Sequence, residues 1–303
     1  MMAKYRVMFV DDDENFLSML SERFKDKFDV AAAKSAEEAL GLLDGAERDL
    51  VVSDGDMPGG MNGTDFLKEV HKRFPKAKTA LLTSADIDGY VGFARESPVC
   101  SVIPKAIPFS FAEVEKIMTA LLTGEVFGLK SYLNSKDGAV IGTYCVKSSG
   151  EAHLIRDKIA AEIGERFFGP EDAKLVLDEI LTNAVYHSPL REDGSEKYAM
   201  FSEAVLEPSE YIYVEFGCDS EMYGVSVLDN RGVLTRDTVL GKMERQIKGI
   251  GHADDSGRGL HMCRLFADRL IVNIERGKRT EVIMLNFLNG KYTGYKPLYI
   301  NEV

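Results

Sequence analysis

Long apolar runs, paired cysteines and an excess of basic residues are all missing from this sequence of 303 residues. No apolar run approaches the ~20 residues that a membrane-spanning helix needs. The N-terminus has no long apolar segment before a small-residue cleavage site, so we expect neither a membrane span nor a secretory signal. The net charge of −12 argues against non-specific nucleic-acid binding, because phosphate backbones are bound by surfaces rich in lysine and arginine.

The four cysteines are scattered, and no two of them form a Cys-x-x-Cys motif. This pattern argues against a zinc site and favours reduced thiols, and therefore a cytoplasmic location. The length of the chain predicts two domains, each large enough to have its own core.

Short apolar runs alternate with segments of helical periodicity in the first part of the chain. Ser35 and Glu38 form a capping-box pattern that opens one of these helices. Such alternation predicts an α/β domain with a five-stranded, doubly wound parallel sheet. The predicted strands cover residues 5–10, 29–33, 50–54, 78–83 and 100–103, and the predicted helices cover 14–28, 36–43, 64–74 and 109–122.

Polar side chains stand where these strands end. Asp11 and Asp12 follow the first strand, Asp54 ends the third, Thr83 ends the fourth and Lys105 follows the fifth. Parallel strands place these ends side by side, at the edge where open α/β sheets have their reactive crevice. An aspartate there can carry a phosphoryl group as an acyl phosphate. The three carboxylates can bind Mg²⁺, while the lysine ammonium and the threonine hydroxyl can contact phosphoryl oxygens.

This set of residues, with Pro58 four residues after Asp54, resembles the response-regulator receiver domain over residues 4–123. The resemblance implies that Asp54 is the phosphoacceptor, and that Lys105 and Thr83 share in the catalysis. It also implies an upstream sensor histidine kinase as the partner that supplies the phosphoryl group. We expect Asp13, next to the acidic pair, to be a bystander.

Two positions depart from the receiver pattern. Ala106 follows Lys105 where the family usually has a proline after a cis bond, and a cis bond before alanine would cost about 3 kcal/mol. We therefore expect a trans bond there. Val102 stands where the family usually has an aromatic switch residue, so we expect the signal to leave the domain by another route.

A junction follows the predicted receiver domain of residues 1–124. We predict a linker over 125–138, with Gly124 and Gly128 as helix breakers, and a second domain over 139–303. The composition does not match a flexible Gly/Ser tether. Two interpretations stay open for the junction, an ordinary short connection and a specific relay. Its apolar residues are Phe127, Leu129, Tyr132 and Leu133.

One helix of the second domain carries polar residues spaced by four. Glu179, Asn183 and His187 share a face opposite an apolar stripe that includes Leu177 and Leu181. Taken alone, such a face is usually just solvated. The other predicted helices cover residues 151–167, 237–246 and 260–269, and the predicted strands cover 139–146, 211–218, 223–228, 271–275 and 280–287.

Further motifs give the polar face a second interpretation. Asp229 ends a predicted strand, and a glycine-rich run leads directly into the helix that starts near residue 260, which is how proteins cradle phosphates. Over residues 140–288 the ordered set resembles the GHKL ATP-binding domain of gyrase, histidine kinases and anti-sigma-factor kinases. The matching residues are Glu179, Asn183, Asp229, Gly232, Gly257, Gly259 and Thr280.

This second resemblance implies a two-layer α+β fold, with ATP and Mg²⁺ as cofactors. It implies that Asn183 holds Mg²⁺ on the phosphates, that Glu179 acts as a general base and that Asp229 accepts the adenine amino group. Residues 241–256 would form a lid over the nucleotide. The family usually has a glycine where this chain has Arg231, so the first glycine box is degenerate.

Three activities remain open at this point. None of the five histidines lies in the phosphoacceptor pattern of histidine kinases, which argues against self-phosphorylation on histidine. The short ATP domain most resembles that of the anti-sigma-factor kinases, and this resemblance implies a Ser/Thr protein kinase. The alternatives are an ATP-dependent module that sequesters its partner with little turnover, and a nucleotide-free scaffold. The implied downstream partner is an anti-anti-sigma-like protein or a sigma factor, and both families often form homodimers.

Overall fold

The computed structural model describes residues 4–84, 91–96, 99–105, 109–134, 137–166, 170–248, 258–288 and 296–303. The chain divides into two compact units between Glu125 and Val126. Predictions for Ala106, for Gly257 and for half of the proposed lid, residues 249–256, lie outside the described residues.

The first unit alternates strands with helices. Its strands are β1 (Arg6–Val10), β2 (Asp29–Ala33), β3 (Leu50–Asp54), β4 (Lys78–Thr83) and β5 (Ser101–Pro104). Its helices are α1 (Glu14–Phe24), α2 (Ala36–Gly45), α3 (Gly63–Arg73), α4 (Val91–Glu96) and α5 (Phe111–Thr123). All neighbouring strands are parallel, in the order β2-β1-β3-β4-β5, so the predicted five-stranded parallel sheet is confirmed.

Local side-chain hydrogen bonds explain where these helices begin. The Asp13 side chain accepts from two backbone amides at the start of α1, and Ser35 accepts from the Glu38 amide at the start of α2. Helix α1 ends at Phe24, whereas the apolar spacing predicted that it continues to Phe28. Phe28 is also buried, but it lies in the turn that leads into β2.

The second unit contains a mixed sheet with helices. Its strands are β6 (Ala139–Val146), β7 (Ile212–Cys218), β8 (Met222–Asp229), β9 (Arg269–Glu275), β10 (Arg279–Phe287) and β11 (Leu298–Glu302). Its helices are α6 (Ser149–Arg166), α7 (Pro170–Thr182), α8 (Arg236–Ile247) and α9 (Arg258–Phe266). The sheet order is β11-β9-β10-β8-β7-β6, and all pairs are antiparallel except β11 with β9.

Two features of the second unit differ from the predictions. Helix α7 passes directly into a π-helix over Asn183–His187, in which the Ser188 amide donates to the Asn183 carbonyl. The sequence does not predict strand β11, which is short and follows a stretch without a clear apolar pattern. Its backbone hydrogen bonds come from pairing with β9.

Most of the predicted linker belongs to the second unit. Residues 126–133, called the strap from here on, lie on the sheet of this unit and include a short 3-10 turn. Val126, Leu129 and Leu133 are each no more than 1% exposed. The structure therefore favours an ordered, docked segment over a free connection between the two units.

Candidate functional site

The sheet of the first unit brings the predicted acidic residues together. Asp11 directly follows β1 and Asp54 ends β3, and their exposed fractions are 1% and 7%. One carboxylate oxygen from each of Asp11, Asp12 and Asp54 lies within 4.8 Å of the others. We call these three residues the acidic cluster. Hard divalent cations such as Mg²⁺ prefer this kind of oxygen donor set.

Lys105 reaches two members of the acidic cluster. Its Nζ lies 2.8 Å from Asp11 Oδ2 and 2.9 Å from Asp54 Oδ2. Burial alone would lower the pKa of Lys105, but the hydrogen bonds to the two carboxylates raise it, so the ammonium stays charged. Burial raises the pKa of Asp11 above its usual range. The cluster therefore holds excess negative charge next to one fixed cation.

Thr83 and Lys105 are held next to each other by the β4–β5 pairing. The Lys105 amide donates to the Thr83 carbonyl at 2.6 Å, and Thr83 is 1% exposed. Asp13 is used as the N-cap of α1, through hydrogen bonds from the amides of Asn15 and Phe16. This structural role agrees with the expectation that Asp13 is a bystander.

One aromatic ring lies against the Lys105 ammonium, and two further rings pack behind it. Lys105 Nζ lies 5.0 Å from the centre of the Phe16 ring, within the range of a cation–π interaction. Phe16 packs edge-on against Phe109 at 5.1 Å, and Phe109 packs edge-on against Phe111 at 4.9 Å. Since Phe111 is the first residue of α5, the rings connect the lysine with the start of that helix.

The second unit contains a cavity of about 720 Å³, including its open mouth. Concave sites that combine apolar walls with a few polar groups are where proteins usually bind small-molecule ligands. Residues of α7, the π-helix, β8, β10, α8 and α9 contribute to its wall. The lining residues are Glu179, Ile180, Asn183, Ala184, His187, Ser188, Val227, Asp229, Val233, Leu234, Lys242, Leu260, Thr280 and Val282.

Asp229 is a buried carboxylate of the cavity wall, with an exposed fraction of 9%. Its Oδ1 accepts from the Ser188 hydroxyl at 2.7 Å, from the Arg231 amide at 2.8 Å and from the Gly232 amide at 3.2 Å. Burial raises the pKa of Asp229, and the neutral donors on Oδ1 oppose this shift. The side chain of Thr280 also interacts with this carboxylate and opposes the shift.

Thr280 is paired with Asp229 in the β8–β10 register and is 3% exposed. Its Oγ1 is buried in the cavity wall and meets no partner at full hydrogen-bond geometry in the part of the chain that the structure describes. The same side chain is close enough to Asp229 to lower the pKa of that carboxyl. Buried polar atoms are normally paired, so the Asp229 and Thr280 side chains form a polar edge of the wall that suits a polar ligand or an ordered water.

Glu179 and Asn183 form a second polar group in the cavity. Asn183 Nδ2 donates to Glu179 Oε1 at 2.9 Å and to the Glu179 carbonyl at 2.8 Å. A Cβ on Gly259, at the start of α9, would lie 1.5 Å from Glu179 Oε1. A side chain at this helix start would therefore displace the Glu179 carboxylate, whereas glycine leaves that carboxylate in place.

The cavity mixes the two faces that the sequence separated. Ile180 and Ala184 of the predicted apolar stripe line the cavity beside the polar residues. His187 Nδ1 lies 2.6 Å from Glu196 Oε1, so this histidine of the cavity wall already has a hydrogen-bond partner in the protein. The π-helix inserts one residue into the turn, so four-residue spacing alone does not describe which side chains face the cavity.

Two contributors were missed from the sequence. Ser188 follows the predicted polar face by one residue, and only the π-helix explains how its hydroxyl reaches Asp229. Phe16 was treated as part of an apolar helix face, and its position beside Lys105 depends on the packing of α1 against the sheet. The only sequence signal for Ser188 is that it is a polar residue at a helix end. For Phe16 the sequence holds no signal.

Comparisons with known proteins identify the first unit. Residues 7–118 match the family model of the response regulator receiver domain. The N-terminal unit is a response regulator receiver domain. It acts in two-component signalling, where phosphorylation by a donor such as a sensor kinase controls a receiver domain.

Solved structures similar to this chain include two receiver domains with the same coverage of their own length. One is a CheY-like protein from Methanospirillum hungatei JF-1, with 22% identity and a TM-score of 0.38, covering 41% of this chain and 97% of that chain. The other belongs to an HD domain-containing protein from Pseudomonas fluorescens Pf-5, with 24% identity and a TM-score of 0.38, covering 40% of this chain and 97% of that chain.

A third similar structure is a response regulator from Thermotoga maritima in complex with Mg(2+)-BeF. It has 27% identity and a TM-score of 0.34, and the match covers 38% of this chain and 96% of that chain. A search of the described helices for a membrane span found none that is both long and apolar enough.

Proposed function

We propose that this protein is a response regulator in which an aspartyl phosphate at Asp54 controls an ATP-binding output domain of GHKL type. The output domain acts as a Ser/Thr protein kinase of the anti-sigma-factor kind. The observation that supports the second half of this proposal is the single cavity whose wall contains Glu179, Asn183, Asp229 and Thr280, with Asp229 held by neutral donors.

Asp54 is the phosphoacceptor in this proposal. Its Oδ2 attacks the phosphorus of a phosphohistidine on the sensor kinase, and the histidine nitrogen leaves. Lys105 already contacts this oxygen at 2.9 Å, and it neutralises part of the charge that arrives with the phosphoryl group. The Thr83 hydroxyl donates to another phosphoryl oxygen. Mg²⁺, held by Asp11, Asp12 and Asp54, supplies further charge neutralisation when bound.

ATP is bound in the cavity of the second unit. Asp229 Oδ2 accepts from the adenine amino group, while Ser188 and the Gly232 amide hold the carboxylate through its other oxygen. Thr280, which lines the same wall, contacts the same edge of the base. Gly259, in the first turn of α9, provides room and a backbone amide for the phosphates, and Gly257 is proposed to share this role.

Glu179 and Asn183 carry the phosphotransfer in this proposal. Asn183 would hold Mg²⁺ through its amide oxygen, and the ion would neutralise phosphate charge there. Glu179 orients or deprotonates the hydroxyl of the incoming Ser or Thr side chain. The present hydrogen bond between Asn183 Nδ2 and Glu179 Oε1 keeps both groups at one place before a nucleotide arrives.

The proposed partners follow from these chemistries. The upstream partner is a sensor histidine kinase, and the downstream partner is an anti-anti-sigma-like protein or a sigma factor. We propose a cytoplasmic location, with which the four free cysteine thiols are consistent. We also propose that the protein is a homodimer. Nucleic acid is not among the proposed partners, because the chain carries a net charge of −12.

Glu179→Gln tests the kinase proposal directly. Calorimetry with Mg-ATP and assays with labelled ATP and candidate partner proteins should show retained binding and lost phosphotransfer. If the variant and the wild type both bind ATP and neither transfers phosphate, the cavity belongs to a sequestering module. If the wild type binds no ATP analogue at all, the second unit is a nucleotide-free scaffold.

A further inference from the structure

The strap is anchored by apolar side chains that enter holes in the sheet. Leu129 is fully buried, and a Cβ on Gly224 would lie 2.8 Å from Leu129 Cδ1. A Cβ on Gly217 would similarly lie 3.2 Å from Leu133 Cδ1. Since Gly217 and Gly224 face each other in the β7–β8 register, the two glycines form one recess for the strap.

A buried carboxylate holds the strap backbone. The Gly128 amide donates to both oxygens of Glu281, at 3.1 and 3.0 Å, and Glu281 is 1% exposed. Ser226 Oγ and Asn273 Nδ2 donate to the same carboxylate at 2.5 and 2.9 Å. The neighbouring Leu129 amide donates to Glu215 at 3.2 Å.

A second polar network closes the other end of the strap. Tyr132 donates its hydroxyl proton to the Val126 carbonyl. The Tyr132 hydroxyl oxygen also lies 3.0 Å from Asn273 Oδ1. Asn273 Nδ2 also donates to the Val126 carbonyl at 2.6 Å, and Asn301 Nδ2 lies 3.3 Å from the Tyr132 hydroxyl. Every strap contact in these networks goes to the second unit.

Strand β10 connects the strap with the cavity on the opposite face of the sheet. Successive residues of a strand point to opposite faces. Thr280 and Val282 line the cavity, whereas Glu281 between them holds the strap. The strap and the cavity therefore share this one strand, with Glu281 on the strap face and Thr280 on the cavity face.

The strap is also directly joined to the receiver domain. Helix α5 ends at Thr123, and Gly124 caps it in the left-handed region with φ of 74°. Only Glu125 separates this cap from the strap. A segment that served only as a connection would be held as well by apolar contacts, since a buried charge must have its desolvation compensated.

We propose that the strap is a regulatory latch: the Glu281 carboxylate holds it on the outer face of the sheet, and its docking controls the nucleotide cavity through β10. Phosphorylation of Asp54 changes the docked fraction of the latch through α5. The docked latch keeps Thr280 in place and favours nucleotide binding. This inference rests on the proposed ATP-binding function and adds to it the element that regulates the cavity.

Gly128→Ala is the sharpest variant for this latch. Gly128 has φ of 93°, and a Cβ there would meet no atom within 4 Å, so the substitution changes only backbone strain. Such strain costs about 1–3 kcal/mol, which corresponds to at least a fivefold loss of the docked state. Gly194→Ala is the matched control, because Gly194 has φ of 80° and equally open space in the same unit.

The experiment measures amide exchange in full-length protein and the Kd for a non-hydrolysable Mg-ATP analogue. In Gly128→Ala we expect faster exchange at residues 126–133 and at 279–287, with nucleotide binding weakened at least threefold. Gly194→Ala should match the wild type in all three. Beryllofluoride, as a mimic of the Asp54 phosphoryl group, should alter exchange of the strap in the wild type.

Glu281→Gln provides a second route if Gly128→Ala does not fold, with Glu302→Gln as its control. Faster strap exchange with unchanged β10 exchange and unchanged Kd would overturn the latch. Amide exchange of the strap that is the same with and without beryllofluoride would overturn the proposal that the receiver domain controls the strap. If the wild type binds no nucleotide, the proposed function fails, while exchange of β10 still decides whether the strap acts on that strand.

Discussion

The acidic cluster and the cavity hold their buried carboxylates in opposite ways. Asp54 lies 2.9 Å from a charged lysine in a cluster that contains two more carboxylates. Asp229 is held by a hydroxyl and two backbone amides, all of them neutral. The first arrangement suits the arrival of further negative charge with a metal ion. The second suits a neutral ligand that donates a hydrogen bond, so the difference separates the proposed phosphoacceptor from the proposed base-binding wall.

The largest effect is expected at the acidic cluster. Asp54→Asn should abolish acyl-phosphate formation from acetyl phosphate, because an amide cannot act as the nucleophile. Asp13→Asn is the control, since asparagine also caps helices and Asp13 serves only α1. Mass spectrometry of the intact protein gives the result. Phosphorylation that persists in Asp54→Asn would place the acceptor elsewhere and remove the first half of the comparison.

Asp229→Asn should weaken binding of the Mg-ATP analogue by about 10- to 150-fold, the range for a lost hydrogen bond to a charged group. Three donors meet Oδ1, so the amide oxygen must take that place and the NH₂ group must face the adenine amino group. Calorimetry measures the Kd, with Asp157→Asn on the exposed surface of α6 as the control. Unchanged affinity would mean that Asp229 does not bind the base.

Phe16 offers a smaller test of how the lysine is held. Phe16→Leu keeps an apolar side chain but removes the ring under the ammonium, and we expect beryllofluoride affinity to fall about two- to fivefold. Phe16→Tyr keeps the ring and should stay close to the wild type. Equal losses in both variants would show that packing, and not the ring face, is what matters at this position.

The smallest effect concerns stability against pH. Burial raises the pKa of Glu281, while hydrogen bonds from Ser226, Asn273 and the Gly128 amide oppose this shift. Glu281 therefore binds a proton more tightly in the folded state than in the unfolded state, where a glutamate has a pKa of about 4.3. Stability of the wild type is expected to fall as pH rises from that value through the raised folded pKa.

Glu281→Gln removes this titration, so its Tm relative to the wild type should rise over the same pH window. The nearby carboxylate of Glu215 and the other buried acids are present in both proteins and cancel in the difference. Glu302→Gln, which pairs with Arg276 at the edge of the sheet, should not reproduce the trend. A Tm difference that is flat with pH would contradict the raised pKa.

The receiver domain could be predicted nearly in full because its signals are local. Strand ends at Asp54 and Thr83 lie where the apolar runs stop, and side-chain caps such as Ser35 mark helix starts. In this unit the strand order places the polar ends together automatically, so the spacing of residues was enough to predict the acidic cluster. The aromatic contacts of Lys105 were beyond reach, since they depend on packing between distant segments.

The second unit was harder, because its decisive contacts are distant in sequence. The Ser188 hydroxyl reaches Asp229 only because a π-helix replaces an α-helical turn, and spacing rules assume regular turns. The sequence predicts a linker over residues 125–138 and leaves its role open, because the anchor points of the strap, Gly224 and Glu281, lie far along the chain. Recognising the cavity residues was possible because their order along the chain is itself a pattern.

The central claim is that a phosphoryl group on the receiver domain changes how the second unit binds ATP. The most direct measurement is the Kd for a non-hydrolysable Mg-ATP analogue, with and without beryllofluoride, in the wild type and in Asp54→Asn. A coupling free energy in the usual range predicts a change of at least about fivefold in the wild type and none in the variant. The same Kd in all four conditions would contradict the account.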